Sequence, residues 1–351
     1  MSDIKARCPL GGCASVAHRE RAGYGSAAYK RGVVRKVPVV PEFGFKLPNC
    51  GGVMCPPEWA TPQTVERLAL EAAGQGFDSL WLQDHVVTPE EMEEYGEPAF
   101  LDPFAVSVRL AALVPAVRIG VATYVLPFRD PVILAKQLAT ADRFFPGRFV
   151  VGVGAGRYES EFARFGSSLL EDRGRVTQEY MVLMRRLFQE ARVTHEGKYR
   201  SVKDAMMNPR PPLGRIPIWL HGSGPIGIRR AARYADGWIA GSPLIDELRS
   251  SVAAYRAERV TTGREAGPIA VSLRVDRAAV GKDQTDHGIV HRGTADQVAA
   301  TLSEFAAAGV THVLLTFPAR TVEELIDKMH WFTGEVRSVI RARGEVGVRQ
   351  A

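Results

Sequence analysis

The chain has 351 residues, of which 46% are hydrophobic and 24% are charged. This composition is typical of a folded globular protein and excludes collagen-like, disordered and disulfide-rich secreted chains. No segment approaches the roughly 18 consecutive apolar residues of a membrane-spanning helix, and the basic N-terminus lacks the apolar core of a secretory signal. We therefore expect a cytoplasmic protein with no membrane partner.

The net charge of +6 comes from the first 40 residues, which carry eight basic and two acidic side chains. Such an arm allows loose, salt-sensitive contact with polyanions, so a non-catalytic polyanion-binding protein is a remote alternative. Its richness in glycine, alanine and arginine favours a solvated extension instead. We expect residues 1–40 to be a partly disordered extension, residues 41–345 to form one domain, and no specific nucleic-acid partner.

The four cysteines form two pairs, Cys8 with Cys13 and Cys50 with Cys55, each separated by four residues. Structural zinc sites usually use closer pairs that face each other on folded hairpins. Here one pair lies in the basic extension and the other follows a predicted strand. We expect free thiols in a reducing compartment and no metal site.

From residue 42 onward, short apolar segments of β type alternate with longer segments of helical periodicity. The predicted strands are 42–47, 79–83, 117–125, 148–153, 216–221, 237–240, 269–275 and 311–317. The helices that follow them are 62–73, 103–113, 131–144, 173–190, 225–234, 244–262, 294–308 and 321–343. Proline near the first turn and glycine just past the end delimit several of these helices. Eight such units predict an α/β protein with a (β/α)8 TIM barrel, and a doubly wound open sheet is the alternative.

Two connections are longer than the usual loop and indicate function. The first is an acidic insertion after the second strand, at residues 86–102. The second, at residues 195–215 between the fourth helix and the fifth strand, contains a predicted hairpin and is proline-rich at its end. Because the loops after barrel strands form the active-site face, we expect the acidic insertion to overhang the site.

The second strand ends in the sequence Trp-Leu-Gln-Asp-His, which puts Asp84 and His85 where barrel enzymes keep their catalytic groups. A histidine there can move a proton near neutral pH or donate a hydrogen bond to a cofactor carbonyl. The structural alternative is a histidine that caps the following loop.

The fourth strand runs into Gly154, Ala155, Gly156, Arg157 and Tyr158. Alternate glycines let backbone N–H groups approach a ligand closely, and the arginine adds positive charge, which suits a phosphate or an electron-rich ring. The spacing differs from the Rossmann fingerprint, and no Walker lysine follows.

The fifth strand ends in a second glycine-rich turn, Gly222, Ser223 and Gly224, that opens a helix. Its backbone amides and the helix N-terminus form a second candidate phosphate site, with a tight structural turn as the alternative. On the third strand, small residues around Ala122 and Thr123 leave room for a planar ring.

In their joint order these segments resemble the bacterial luciferase-like flavin and deazaflavin oxidoreductases over about residues 42–335. The stretches that carry the resemblance are 76–81, 84–85, 120–131, 147–157 with 161, 162 and 166, 217–219 with 222, and 235–238. Within that family the chain is most similar to members that use coenzyme F420, an 8-hydroxy-5-deazaflavin.

The resemblance implies a barrel with the deazaflavin ring near the C-terminal mouth. It implies a non-proline cis peptide at Ala122–Thr123 supporting the ring, and cofactor contacts from Asp84, from residues 154–158 and from residues 222–224. His85 corresponds to the active-site histidine of the family.

At two positions the chain differs from members of the family, and both differences limit the reactions expected of it. F420-dependent sugar-phosphate dehydrogenases carry a glutamate directly after the glycine run, where this chain has Arg157. This argues against their proton-transfer arrangement and against glucose 6-phosphate as substrate. The cysteine of bacterial luciferase corresponds to Gly154, so luciferase chemistry is not implied.

The sequence therefore predicts an oxidoreductase that transfers a hydride between F420 and a small organic substrate, with His85 handling a proton. The alternative is a reduced-FMN-dependent two-component monooxygenase that uses O2 and a separate flavin reductase. A homo-oligomer is expected from the resemblance alone.

Overall fold

The computed structural model describes residues 40–51, 55–277, 281–285 and 288–349. The basic extension, with Cys8 and Cys13, lies outside the described residues apart from Val40. The division of the chain at residue 40 stays a prediction.

Within the described residues, eight parallel strands close into a barrel. In hydrogen-bonded order they are β1 (Glu42–Lys46), β2 (Ser79–Leu82), β3 (Arg118–Val125), β4 (Phe149–Gly154), β7 (Ile218–His221), β8 (Gly237–Ile239), β9 (Ile269–Asp276) and β12 (His312–Thr316). β8 pairs with β9 and β12 pairs with β1, which closes the ring. The (β/α)8 barrel is confirmed, and the open sheet was the wrong alternative.

The chain has two hairpins in addition to the eight barrel strands among the described residues. The predicted one is formed by β5 (Val193–His195) and β6 (Val202–Ala205), which pair antiparallel inside the second insertion. The other, β10 (Gly281–Thr285) with β11 (Gly288–Arg292), was not predicted, and β11 continues the sheet beside the end of β9.

The helices lie where the periodicity predicts them. They are α1 (Pro62–Gly74), α2 (Pro103–Leu113), α3 (Pro131–Phe144), α4 (Glu159–Phe165), α5 (Arg173–Gln189), α6 (Gly224–Tyr234), α7 (Ile245–Thr261), α8 (Ala295–Ala308), α9 (Val322–Trp331) and α10 (Arg337–Arg349). α4 was not predicted, and a π-helical segment, Phe332–Val336, divides the predicted last helix into α9 and α10. None of the described helices has the length and apolar character needed to cross a bilayer.

Side-chain caps fix the start of several helices. Asp102 and Asp130 each accept hydrogen bonds from two backbone amides of the first turn, and Thr61 accepts one. In all three helices proline occupies the first turn, where its missing N–H costs nothing. A cap of this kind stabilises a helix by about 1 kcal/mol.

The core has two layers, one outside and one inside the barrel. The outer faces of the strands, including Phe43 and Phe45, pack against the helices in one large cluster. The inner faces form a smaller cluster of Trp81, Val150, Trp219, Ile239, Ala270 and Leu314. The two indole rings lie 5.5 Å apart and fill the barrel, so the mouth begins above them.

Candidate active site at the barrel mouth

The mouth is lined by the residues that follow the tryptophan layer on the inner faces of the strands. A Cβ built at Gly44 would lie 2.4 Å from Trp81, so Gly44 faces the interior. Because side chains alternate along a strand, Lys46 faces the same way two residues later, at the carboxyl end of β1. By the same alternation His221 follows the interior Trp219.

His85 is held in a hydrogen bond with Glu161 at this end of the barrel. Its Nδ1 lies 3.1 Å from the carboxylate Oε2 of Glu161, and the other carboxylate oxygen accepts from the backbone N–H of Val86 at 3.1 Å. The Glu161 side chain is 1% exposed and that of His85 is 14% exposed. Glu161 therefore fixes the imidazole from behind while one edge of the ring reaches the mouth.

Two aromatic rings frame the imidazole. The centroids of Phe100 and Tyr158 lie 4.9 and 5.9 Å from that of His85. Among the described residues no side chain or backbone group hydrogen-bonds to Nε2 of His85. A neutral or protonated imidazole held by a carboxylate at Nδ1 presents Nε2 for proton exchange with a ligand.

Asp84 lies behind the mouth and not on its surface. Its fully buried carboxylate accepts from the backbone N–H of Val125 at 2.9 Å and from Nε of Arg129 at 3.0 Å. Burial raises the pKa of Asp84, and the Arg129 guanidinium opposes that shift. Asp84 thus ties the end of β2 to the end of β3, which positions the adjacent His85.

The bulge on β3 has the geometry expected from the family. The Ala122–Thr123 peptide is cis, as predicted, and the register between β3 and β4 shifts between Val121 and Tyr124. A Cβ at Gly154 would lie 2.5 Å from Oγ1 of Thr123. Any side chain at this position of β4 would therefore force Thr123 on the bulge to shift.

The glycine loop after β4 is half-buried except at Arg157, which is exposed. Gly156 has φ +86°, a left-handed conformation that favours glycine, and a Cβ there would lie 2.7 Å from the ring of Phe162. Ala155 is half-buried, and Arg157 is exposed with its guanidinium 5.3 Å from the ring centroid of Tyr158. The loop thus brings a positive charge and free backbone to the rim beside His85.

The second glycine turn lies next to the first because β4 pairs with β7. Ser223 precedes α6 without a side-chain cap, and Gly224 has φ +65°. Gly222 packs against Gly227, where a Cβ would lie 2.9 Å from backbone atoms. The first amides of α6 are therefore uncapped by a side chain, an arrangement that suits an anionic group.

The acidic insertion packs against α4, beside the His85–Glu161 pair. Nη1 of Arg164 donates to Oε1 of Glu93 at 2.7 Å and to the Thr88 carbonyl at 2.9 Å. Ser160 donates to the Glu91 carboxylate and accepts from the Glu90 backbone N–H. The insertion thus lies at the barrel end that carries His85.

Three side chains of the site were not predicted as functional: Lys46, Glu161 and His221. Burial lowers the pKa of Lys46 to about 8, and Arg274 adds to that shift. Desolvation lowers the pKa of His221 although part of its side chain is exposed, and the charges of Lys46 and Arg157 add to that shift. The alternation of inward residues on β1 and β7 was the sequence signal that could have identified two of them.

Cys50 and Cys55, near the end of β1, are free thiols. Cys55 donates a weak hydrogen bond from Sγ to the Cys50 carbonyl at 3.5 Å. Burial raises the pKa of Cys55 to about 12 and that of Cys50 further, so both are protonated at neutral pH.

The chain matches the model of one known protein family. The profile of the luciferase-like monooxygenase family matches residues 42–286, and the chain belongs to that family. The family expected from the sequence is thus confirmed.

Individual relatives are similar in sequence to part of the chain. It is 33% identical over 209 residues to an F420-dependent glucose-6-phosphate dehydrogenase of Microbacterium testaceum, an alignment that covers 59% of this chain and 58% of that protein. This chain therefore spans less than two thirds of that relative's length.

Two solved structures share the fold. An F420-dependent secondary alcohol dehydrogenase in complex with an F420-acetone adduct has a TM-score of 0.72 at 19% identity, covering 86% of this chain and 99% of that one. A long-chain alkane monooxygenase also has a TM-score of 0.72, at 16% identity, covering 87% of this chain and 92% of its own.

Proposed function

We propose that this protein is an oxidoreductase that transfers a hydride between bound coenzyme F420 and a small organic substrate. The observation that carries the proposal is the His85–Glu161 pair, which presents Nε2 of a half-buried imidazole to the mouth beside the Ala122–Thr123 bulge. The relatives named as F420-dependent dehydrogenases supply the cofactor assignment.

The residues at the mouth fit a ring with a phosphate tail. The glycine at position 154 keeps the inner surface of β4 flat next to Thr123. Residues 154–158 and 222–224 would hold the phosphate, because their backbone amides and Arg157 offer donors and positive charge.

Each residue has a distinct part in the proposed reaction. Bound F420 supplies two-electron hydride transfer. His85 accepts the hydroxyl proton at Nε2 when an alcohol is oxidised and returns it when a carbonyl is reduced. Glu161 holds the ring orientation at Nδ1 and stabilises the imidazolium, while Phe100 and Tyr158 shield the ring from bulk water.

The substrate is proposed to differ from glucose 6-phosphate. Arg157 stands where the sugar-phosphate dehydrogenases carry a glutamate after the glycine run. In this chain the carboxylate next to the histidine comes instead from Glu161, on α4. With Arg157 at this position, the rim of the pocket is more positive than it would be with a glutamate.

The test is a fluorescence titration of the purified protein with F420 and, in parallel, with FMN. We expect F420 to bind at least about tenfold more tightly, which corresponds to about 1.4 kcal/mol. A preference for FMN, with substrate-dependent O2 uptake, would overturn the proposal in favour of the monooxygenase with a flavin reductase partner. The cytoplasmic location and the homo-oligomer stay predictions.

A further inference from the structure

Lys46 is a charged side chain of the mouth that the proposed reaction leaves unused. It lies at the carboxyl end of β1, two residues after the interior Gly44. Among the described residues, its ammonium has neither a hydrogen bond nor an ion pair. An ammonium group in a half-buried position without a partner is uncommon, because desolvation disfavours its charge.

The groups around Lys46 add no negative charge. Its pKa responds to Arg274 and Cys50, and it lowers that of His221. Arg274 is positive and has contacts of its own. Burial keeps the Cys50 thiol protonated and His221 neutral at pH 7.

The nearby carboxylates are already engaged. Glu161 binds His85, Asp84 binds Arg129, and Asp276 pairs with Lys328 at 2.9 Å. None of these three carboxylates is therefore free to pair with the Lys46 ammonium.

Lys46 also lies on the side of the mouth where the proton transfer is proposed. β1 pairs with β2, with Lys46 opposite Trp81, and His85 follows the end of β2. A ligand that reaches Nε2 of His85 can therefore extend toward the Lys46 ammonium.

We propose that Lys46 binds a carboxylate group of the substrate, which makes the substrate a hydroxy or oxo acid. The single ammonium at the end of β1 matches a monoanion, whereas a phosphate dianion is better matched by the backbone amides and Arg157 of residues 154–158. This inference rests on the proposed function for the identity of the reaction, but the anion site is testable alone.

The probes are acetate, its neutral isostere acetamide, and inorganic phosphate as the dianion. Binding is followed by tryptophan fluorescence, since Trp81 and Trp219 lie in the layer beneath Lys46. At pH 7 we expect acetate to bind at least about tenfold more tightly than acetamide, and Lys46→Met to abolish that preference while Lys46→Arg retains it. The affinity should fall as pH rises above about 8, where Lys46 loses its proton.

A second arm separates a substrate anion from the phosphate of the cofactor. The same titrations are made with F420-loaded protein and with Arg157→Gln, which removes a rim charge from the cofactor loop. We expect acetate binding to persist in both, and to be lost only with Lys46→Met.

Three outcomes would overturn the proposal: wild-type acetate affinity in Lys46→Met, tighter Lys46-dependent binding of phosphate than of acetate, or loss of acetate binding when F420 is bound. Failure of F420 to bind, with Lys46-dependent acetate binding intact, would instead refute the proposed function and leave the carboxylate site standing.

Discussion

At the scale of single residues, the arrangement of His85 predicts a separation between catalysis and cofactor binding. The imidazole is held at Nδ1 by Glu161 and reaches the mouth with Nε2. We expect His85→Ala to lower kcat by about 10²–10⁴-fold, the usual contribution of a positioned acid or base, while F420 affinity changes by less than about threefold.

Steady-state kinetics and the fluorescence titration measure the two quantities on the same protein. The matched variant is Glu161→Gln, which keeps the size of the side chain but removes the charge behind the imidazole. It should also lower kcat without loss of F420. An equal loss of turnover and affinity in His85→Ala would make the histidine a binding residue.

A second residue-scale prediction concerns the Asp84–Arg129 pair, which joins the ends of β2 and β3. Removing the guanidinium in Arg129→Met leaves a buried carboxylate without its counter-charge, so we expect a loss of about 3 kcal/mol in the free energy of unfolding at pH 7. Burial already raises the pKa of Asp84, and the variant should raise it more. The loss in the free energy of unfolding therefore comes from the ionised Asp84 carboxylate. This loss grows as pH rises and shrinks as the carboxyl becomes protonated.

Urea denaturation at pH 7 and pH 5 tests whether the loss of stability in Arg129→Met depends on pH in this direction. The loss should be smaller at pH 5, and the double variant Asp84→Asn, Arg129→Met should recover part of it because no charge is buried. If Arg129→Met is equally destabilised at both pH values, the ion pair is not the cause.

At the scale of elements, the close contact between β3 and β4 predicts a strict size limit. A side chain at position 154 would meet Thr123 on the bulge and fill the space proposed for the ring. We expect Gly154→Val to weaken F420 binding by at least about tenfold. The control is Gly74→Val at the end of α1, where a Cβ meets nothing within 4 Å and affinity should not change.

The elements also show how far local sequence signals extend. The eight strands and their helices were predicted to within two residues of most ends, because β-type apolar runs, proline starts and glycine stops are local signals. α4 was missed, since Glu159–Phe165 is only two turns long and mostly polar, with Phe162 buried in a small cluster. The role of Glu161 depends on that helix meeting the end of β2.

The site residues divide in the same way, into those that a local sequence signal identifies and those that it does not. Asp84, His85 and the glycine turns were found because they end strands and match a family pattern. Lys46 was missed because a lysine at the end of an apolar strand is ordinarily expected to face solvent. Its position inside the mouth depends on closure of the barrel, which decides the face of β1 that points inward.

At the scale of the whole molecule, the charge distribution predicts that the basic extension is separable from catalysis. The positive excess lies in the first 40 residues, and the barrel begins with β1 at Glu42. We expect a chain lacking residues 1–38 to keep its unfolding midpoint and to change F420 affinity by less than about twofold. Any salt-sensitive binding to DNA, measured by fluorescence polarisation, should be lost with the extension.

The two readouts of the truncated chain decide between two organisations of the molecule. Retained catalysis with lost DNA binding would make residues 41–345 a self-sufficient enzyme and the extension an independent polyanion contact. Loss of F420 binding in the truncated chain, with its unfolding midpoint unchanged, would mean that cofactor binding requires residues 1–38. The barrel alone would then be an incomplete site, and residues before β1 would belong to the cofactor-binding machinery.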